Sequence, residues 1–536
     1  MRALLLSAGY DRWILPALLV IPLIGAALIL LLGSRSPEGE DEVASGAAAG
    51  PRRLATLVFG LEFLLSVGLW WSFDPSYAGW QQNFDMRWIP AWGVRFTLGL
   101  DGIAMMMVLL TTFIMLLASI GSYTSVRRKT RAYYALLLVL TTGMLGVFMS
   151  LDLFLFYVMW EAMLIPMYFI VGIWGGERRI YASLKFFIYT MLGSLLMLVG
   201  IVYLGLAAAQ PGVLNGSMQM IPNFSYDAIM STARISHTAA YWLFGAFFLA
   251  FAVKVPMFPF HTWLPDAHVE APTAGSVVLA SIMLKLGTFG FLRLAVPLFP
   301  TAAMDPRVRN VVLTLAVIGI VYGALVSLVQ PDFKKLVAYS SVSHLGFVML
   351  GIFALTVQSV QGALMVMINH GLSTGALFFL IGMIYERRHT RLIEAYGGLA
   401  RVVPLFAAML TFVTFSSIGV PGTNGFVGEF LVLLGAFRTS PILTLIATTS
   451  VIIAAAYLLW AIQRILFNPL DKPENEHVPD INRRELLLMA PLLAGIIWLG
   501  VYPAPVLRRM QTSAEQFVRT VETRAAATTA LAAEGR

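Results

Sequence analysis

Glu161 lies near the middle of LDLFLFYVMWEAMLIPMYFIVG (Leu151–Gly172), an apolar run long enough to cross a bilayer. An ionisable group at that depth costs a few kcal/mol or more, so it faces a protein interior and serves a purpose. Three more such groups stand in later apolar runs: Lys254, Lys285 and Glu429. Two acids and two bases held inside a membrane suggest a route for protons or ions.

The individual residues narrow that chemistry. A buried Glu161–Lys254 pair would let each partner hold the other ionised, and separating them would set a proton free; the alternative is a static structural ion pair. Lys285, in SVVLASIMLKLGTFGFLRL, has apolar neighbours on every side and sits too deep to snorkel, which suits a buried relay. His344 and His370 lie inside later runs, where a neutral imidazole could pass a proton near neutral pH or simply be a satisfied structural group. Their neighbours Ser340, Ser341, Ser343, Asn369, Ser373 and Thr374 form a polar seam that favours the relay. His261 and Lys185 are lesser candidates. His261 and His268 flank a kinked loop, with no acidic or thiol partner at metal-ligand spacing. Asp101 and Asp152 stand where helices begin and suit capping.

The elements that must hold these groups are membrane helices. The chain has 536 residues, 59% apolar and 12% charged, against about 25% charged in a soluble protein. It lacks cysteine, which excludes disulfides, iron–sulfur clusters and thiolate zinc sites. No GxGxxG, P-loop or nucleophile elbow is present, so no cofactor is expected in this chain. The net charge of +8 sits in short loops rather than a nucleic-acid patch.

The expected fold is an all-α polytopic membrane protein with about fourteen transmembrane helices. The apolar runs fall at roughly 13–33, 54–73, 100–121, 131–150, 151–174, 181–207, 239–258, 272–298, 308–330, 333–355, 357–386, 401–436, 440–467 and 484–507. The first run is expected to be a retained span rather than a cleaved signal, because its apolar stretch exceeds a signal core. Loops after odd-numbered helices carry 19 basic residues and those after even-numbered helices 6. That asymmetry puts the odd loops in the cytoplasm and both termini on the other side.

Two runs are interrupted alike. The seventh reads FAVKVPMFPFHTWLPDAH (Phe251–His268) and the twelfth SSIGVPGTNGFVGEF (Ser416–Phe430), each with prolines beside a charged residue. Proline removes a donor and clashes with the preceding turn, so both helices should unwind. From Pro256 to Pro421 is 165 residues, or five helices. An odd number of helices per repeat inverts the second copy, and matched interruptions in two halves point to a transport path. The expected organisation is an N-terminal part at 1–130, inverted five-helix repeats at 131–300 (helices 4–8) and 301–468 (helices 9–13), and a last helix with its tail at 469–536.

KVPMFPFHTWLPDAHVEAPTAGSV (Lys254–Val277), followed by Lys285 and LVAYSSVSHLGFV (Leu336–Val348), resembles the antiporter-like proton-pumping subunits of respiratory complex I, NADH:quinone oxidoreductase, and their Mrp antiporter relatives. The likeness runs from about helix 2 to helix 14. Glu429 stands where sister subunits typically carry lysine, which singles out one branch. The resemblance implies that Glu161 and Lys254 form a coupling ion pair and that Lys285 is a central relay. His344 and His370 would continue it toward Glu429 at the output. It also implies sister membrane subunits as partners, an indirect link to a peripheral redox arm, and a lipid bilayer, in the bacterial inner membrane. The alternative it leaves is an Mrp-type cation/proton antiporter subunit. The loop at 34–53 and the Ala-rich tail at 525–536 depart from the family pattern.

Overall fold

The computed structural model describes residues 1–32, 41–214, 217–233 and 235–534. Arg35, Glu38, Glu40, Arg234 and the last two residues of the tail lie outside them. Among the described residues thirteen helices are long and apolar enough to span a membrane. Helices 1–5 cover Tyr10–Leu31, Ala49–Ser72, Gly102–Ser125, Thr130–Met149 and Leu153–Trp174. Helices 6–8 cover Arg179–Ala207, His237–Lys254 and Thr273–Leu298, and helices 9–11 cover Pro306–Leu328, Phe333–Ala354 and Val357–Arg388. Helices 13 and 14 are Pro441–Phe467 and Arg483–Val501. The twelfth is two shorter apolar pieces, Pro404–Ile418 and Asn424–Phe437. The fourteen expected spans are therefore present, one of them in halves.

Both expected breaks occur. Helix 7 stops at Lys254 and resumes as a short helix, Trp263–Glu270. The carbonyl of Val253, released by the break, accepts the indole N–H of Trp263 at 2.8 Å, as a backbone group buried in a membrane protein requires. Helix 12 breaks at Gly419, whose φ of +84° is left-handed backbone that glycine adopts without strain. Helix 5 has an interruption the run did not announce: it divides at Met163 into Leu153–Ala162 and Leu164–Trp174.

Helices 8 and 11 are buried along their whole apolar windows and helix 10 almost so, which makes these three the axis of the molecule. Helix 6 lies at the periphery and exposes a stripe of Ile180, Leu184, Ile188, Leu192 and Val199. Spacing of three to four residues is that of one helix face, here turned outward.

Three features differ from the all-helical expectation. A hairpin of β1 (Gln81–Ile89) and β2 (Val94–Leu100) joins helices 2 and 3, and β3 (Gln210–Leu214) pairs with β4 (Ser217–Ile221) between helices 6 and 7. The last apolar run ends at Val501 rather than 507, and a separate helix, Ala504–Glu534, follows. That helix buries Val506, Met510, Ala514, Phe517 and Val521 against the protein, and Ser513 Oγ accepts the N–H of Gly102 at 2.9 Å. The hydroxyl of Thr512 donates to the Pro75 carbonyl at 2.5 Å, while Arg2 pairs with Asp74 at 3.0 Å. Both termini thus meet the loop between helices 2 and 3, so they share one side of the protein.

Candidate functional site

Lys285 is fully buried at the centre of helix 8. Wider, π-type turns flank it, at Leu279–Met283 and Phe291–Ala295. Such turns leave carbonyls poorly paired and gather at functional sites; here the Ala280 carbonyl accepts from the Lys285 ammonium. The Nζ of Lys285 also lies 2.6 Å from Nδ1 of His370 on helix 11. That approach depends on Gly371, because a β-carbon there would press on the backbone of Ser281. Ser281 Oγ donates to the Gly371 carbonyl at 2.7 Å and pins the two helices at that level.

The line continues from His370. Its ring centroid is 5.6 Å from that of His344 on helix 10, and Nδ1 of His344 lies 2.7 Å from Oε1 of Glu429 on the second half of helix 12. A cavity of about 20 Å³ lies among His344, His370, Ser373, Ser417 and Glu429, with room for a single water. Beside it the helix-12 break is open to the surface at Val420, Pro421 and Gly422. Lys285, His370, His344 and Glu429 therefore form a chain of polar groups about four side chains long, from the buried axis to a surface break. Proton transfer needs heavy atoms within hydrogen-bond reach or one water apart; the Lys285–His370 and His344–Glu429 steps are in direct contact, and the two histidines line one water-sized cavity.

The break is tied to helix 11 by Asn369 and Ser373 of the expected polar seam and by two residues not singled out from the sequence, Ser416 and Asn424. The Asn369 amide donates to the Asn424 carbonyl at 2.6 Å, and Ser416 Oγ donates to Asn424 Oδ1 at 2.5 Å. Ser373 and Ser416 are 2.7 Å apart. Asn424, three residues after Pro421 in a Gly-rich stretch, was the available signal: an amide that close to freed backbone is placed to satisfy it.

The other expected pair is not closed. Lys254 is 1% exposed, yet its Nζ has no hydrogen-bond partner and no carboxylate within 4.0 Å among the described residues. It sits instead 5.4 Å from the ring centroids of both Trp160 and Phe186. One carboxyl oxygen of Glu161 is likewise buried without a partner. The coupling ion pair read from the sequence is thus open in this structure. The physical reason is the aromatic face of Trp160, next to Glu161 on its helix, which offers the ammonium a competing site; such contacts are worth up to about 2 kcal/mol when desolvated.

The lesser candidates stand apart from the line. Lys185 pairs with Asp266 at 2.7 Å. His261 is packed among Phe258, Tyr322 and Tyr339, with its Nδ1 unpartnered. His268 stacks on Phe378 at 4.7 Å, and neither ring nitrogen has a partner. Among the described residues no group of three or more His, Cys, Asp or Glu could hold a metal ion. Asp101 caps helix 3 through the Ala104 N–H and pairs with Arg293 at 2.7 Å. Asp152 caps helix 5 through the N–H groups of Phe154 and Leu155, and burial raises its carboxyl to about 6. Glu62 was not singled out from the sequence, although LVFGLEFLLSVGLWW carries the signal that marked Glu161. It is fully buried in helix 2.

The profile of a family described as NADH:quinone oxidoreductase/Mrp antiporter, TM matches residues 150–454. The NADH-quinone oxidoreductase subunit M of Rhodobacter capsulatus is 45% identical over 91% of this chain and 92% of its own length. The NADH-ubiquinone oxidoreductase chain 4 of Marchantia polymorpha is 38% identical over 94% of this chain and 97% of its own. Among solved structures, a chain of respiratory complex I from Thermus thermophilus with bound NADH superposes with a TM-score of 0.82 at 33% identity. That likeness covers 95% of this chain and 99% of the other. The chain belongs to the NADH:quinone oxidoreductase/Mrp antiporter family.

Proposed function

We propose that this family member is a proton-translocating membrane subunit of an NADH:quinone oxidoreductase, in which quinone-linked electron transfer in other subunits drives protons through this one. The observation that carries the reading is the line Lys285–His370–His344–Glu429, with direct contacts at its two ends and a water-sized cavity lined by both histidines between them. Lys285 holds the proton on the buried axis, His370 and His344 pass it, and Glu429 releases it at the helix-12 break. Glu161 and Lys254 act as the switch on the input side. With Lys254 seated against Trp160 and Phe186, the pair is in its separated state; its closure would move the lysine from the aromatic rings to the carboxylate.

The placement of these groups supports an inverted-repeat organisation of helices 4–8 and 9–13. Glu161 and Lys254 come from helices 5 and 7, and His344 and Glu429 from helices 10 and 12. Each pair therefore takes the second and fourth helix of its unit, with a proline break in the fourth. Lys285 and His370 join the units across the middle. The Lys285–His370 contact leads on to His344 and Glu429 in the second unit, and in this mechanism Glu161 and Lys254 of the first unit would feed it.

The reading carries partners and location with it. The chain works beside sister antiporter-like membrane subunits, is linked only indirectly to a peripheral redox arm, and itself binds no cofactor. Its place is the bacterial inner membrane, with both termini outside the cytoplasm. The test is proton uptake by inverted membrane vesicles carrying Lys285→Ala or His370→Ala, with assembly of the complex checked in parallel. Either variant should assemble and lose the gradient driven by NADH oxidation. A wild-type gradient from an assembled Lys285→Ala complex would defeat the reading.

A further inference from the structure

The contact between Lys285 and His370 fixes how that ring carries its hydrogen. An ammonium has donors and no acceptor, so while Lys285 holds the proton, Nδ1 of His370, 2.6 Å away, accepts and Nε2 bears the N–H. That Nε2 is buried and has no hydrogen-bond partner among the described residues. The residue before it has a complementary free atom. Asn369 is 2% exposed, and its side-chain nitrogen donates to the Asn424 carbonyl at 2.6 Å. A carbonyl accepts and never donates, so the amide has one orientation, and the atom left over is the acceptor Oδ1. Oδ1 is likewise buried without a partner. Buried polar groups left unmet are rare, and here a free donor and a free acceptor stand on adjacent residues.

Asn369 and His370 line the same cavity as His344, Ser373 and Glu429. Its volume of about 20 Å³ suits one water, which needs about two to four polar partners. Nε2–H of His370 and Oδ1 of Asn369 are two of them. His344 supplies a third, because its Nδ1 lies 2.7 Å from Glu429 and leaves Nε2 as the free end of the ring. The two rings stand 5.6 Å apart at their centroids, a separation that one water spans.

We propose that Asn369 is a positioning residue of the relay, whose Oδ1 holds the water that joins His370 to His344. This role rests on the proton-carrying reading above and supplies what aims its central step. The water gives one hydrogen to Oδ1, which leaves a lone pair for Nε2–H of His370 and the second hydrogen for Nε2 of His344. Lys285 then passes a proton to Nδ1 of His370, and Nε2 gives its own to the water. The water hands one on to Nε2 of His344, whose Nδ1 proton goes to the Glu429 carboxylate. One proton has moved from Lys285 to Glu429, and both rings have exchanged tautomers.

The test is a pair of variants that remove the same water by different means, read as NADH-driven proton uptake by inverted vesicles holding the assembled complex. Asn369→Leu takes away its acceptor. Val366→Ile adds a methylene to another residue of the cavity wall and leaves every polar group, the Asn369–Asn424 tie included, in place. Each should slow uptake roughly ten-fold, and the double variant should be no slower than the slower single one. If Val366→Ile accumulates poorly, Ser417→Val fills the same cavity. An electron cryomicroscopy map of the wild-type complex that resolves waters should show one within hydrogen-bond distance of both Asn369 Oδ1 and His370 Nε2. No water at that place, a wild-type rate in either single variant, or losses that multiply to about a hundred-fold in the double would each overturn the proposal. Multiplied losses would assign Asn369 to the helix tie alone. A wild-type gradient in Lys285→Ala defeats the relay itself, whereas a lost gradient there with a wild-type rate in Asn369→Leu removes only the role of Asn369.

Discussion

Replacing Glu429 separates a proton-releasing carboxyl from a structural charge. Its Oε1 lies 2.7 Å from Nδ1 of His344. In Glu429→Asp the carboxyl retreats by one carbon–carbon bond, about 1.5 Å, which opens the gap to roughly 4 Å. A single water fits the adjoining cavity and can bridge a gap of that size. Glu429→Ala leaves the imidazole with no acceptor and the path with no terminal group. A hydrogen bond to a charged partner is worth about 1.5–3 kcal/mol, and each 1.4 kcal/mol is a factor of ten. Proton delivery in the Ala variant should therefore fall about ten- to one-hundred-fold, while the Asp variant stays within a few-fold of wild type. The assay is quinone-linked turnover and proton uptake in membrane vesicles, with assembly followed by native electrophoresis. Equal activity of the Ala and Asp variants would show that Glu429 is a structural charge and move the exit elsewhere.

Other expectations concern the switch, the topology and one cap. Glu161→Gln and Lys254→Ala should each lose most pumping in reconstituted vesicles, because each removes one of the two charges whose closure the proposed switch requires; near-normal gradients from either would remove the pair from the mechanism. A reporter active only outside the cytoplasm, fused after Arg536, should be active, and a signal confined to the cytoplasm would reverse the orientation drawn from the 19 to 6 basic-residue asymmetry. Asp152 is raised by burial from 3.8 to about 6, so the folded protein binds more protons than the unfolded chain between those values. Stability should fall as pH rises from about 4 to about 6, by at most about 3 kcal/mol. Asp152→Asn keeps a capping oxygen and should flatten that pH dependence in thermal-shift measurements; an unchanged slope would place the titration on another group.

What the sequence made legible was whatever depends on one segment at a time. Span lengths follow from apolar runs because the bilayer sets them, and the breaks in helices 7 and 12 follow from proline chemistry. The hairpin Gln81–Leu100 and the helix Ala504–Glu534 were missed because neither is apolar enough to register in a reading tuned to membrane spans. Glu62 obeys the rule that marks Glu161, but helix 2 lies outside the two units that carry the broken helices.

Distances between segments were the part no single run could carry, and the two pairs show why. His344 and Glu429 meet because both halves of the broken helix pack against helix 11 and the second half also against helix 10, with Asn424 holding the break in place. Glu161 and Lys254 have the same kind of placement and opposite charges, yet remain apart. The difference lies in what else is within reach of the cation. Trp160 and Phe186 give the Lys254 ammonium a π surface at 5.4 Å on each side, whereas the ring of His344 has a carboxylate within hydrogen-bond distance. An ion pair that always closed could not gate anything. In the proposed mechanism, a lysine with an aromatic seat and an acidic one would be a two-state element of the kind coupling requires, because a partner subunit would need only to tip the balance between them. On that mechanism Trp160 would be a positioning residue of the switch, although its sequence context marks it only as one more apolar side chain in a membrane helix.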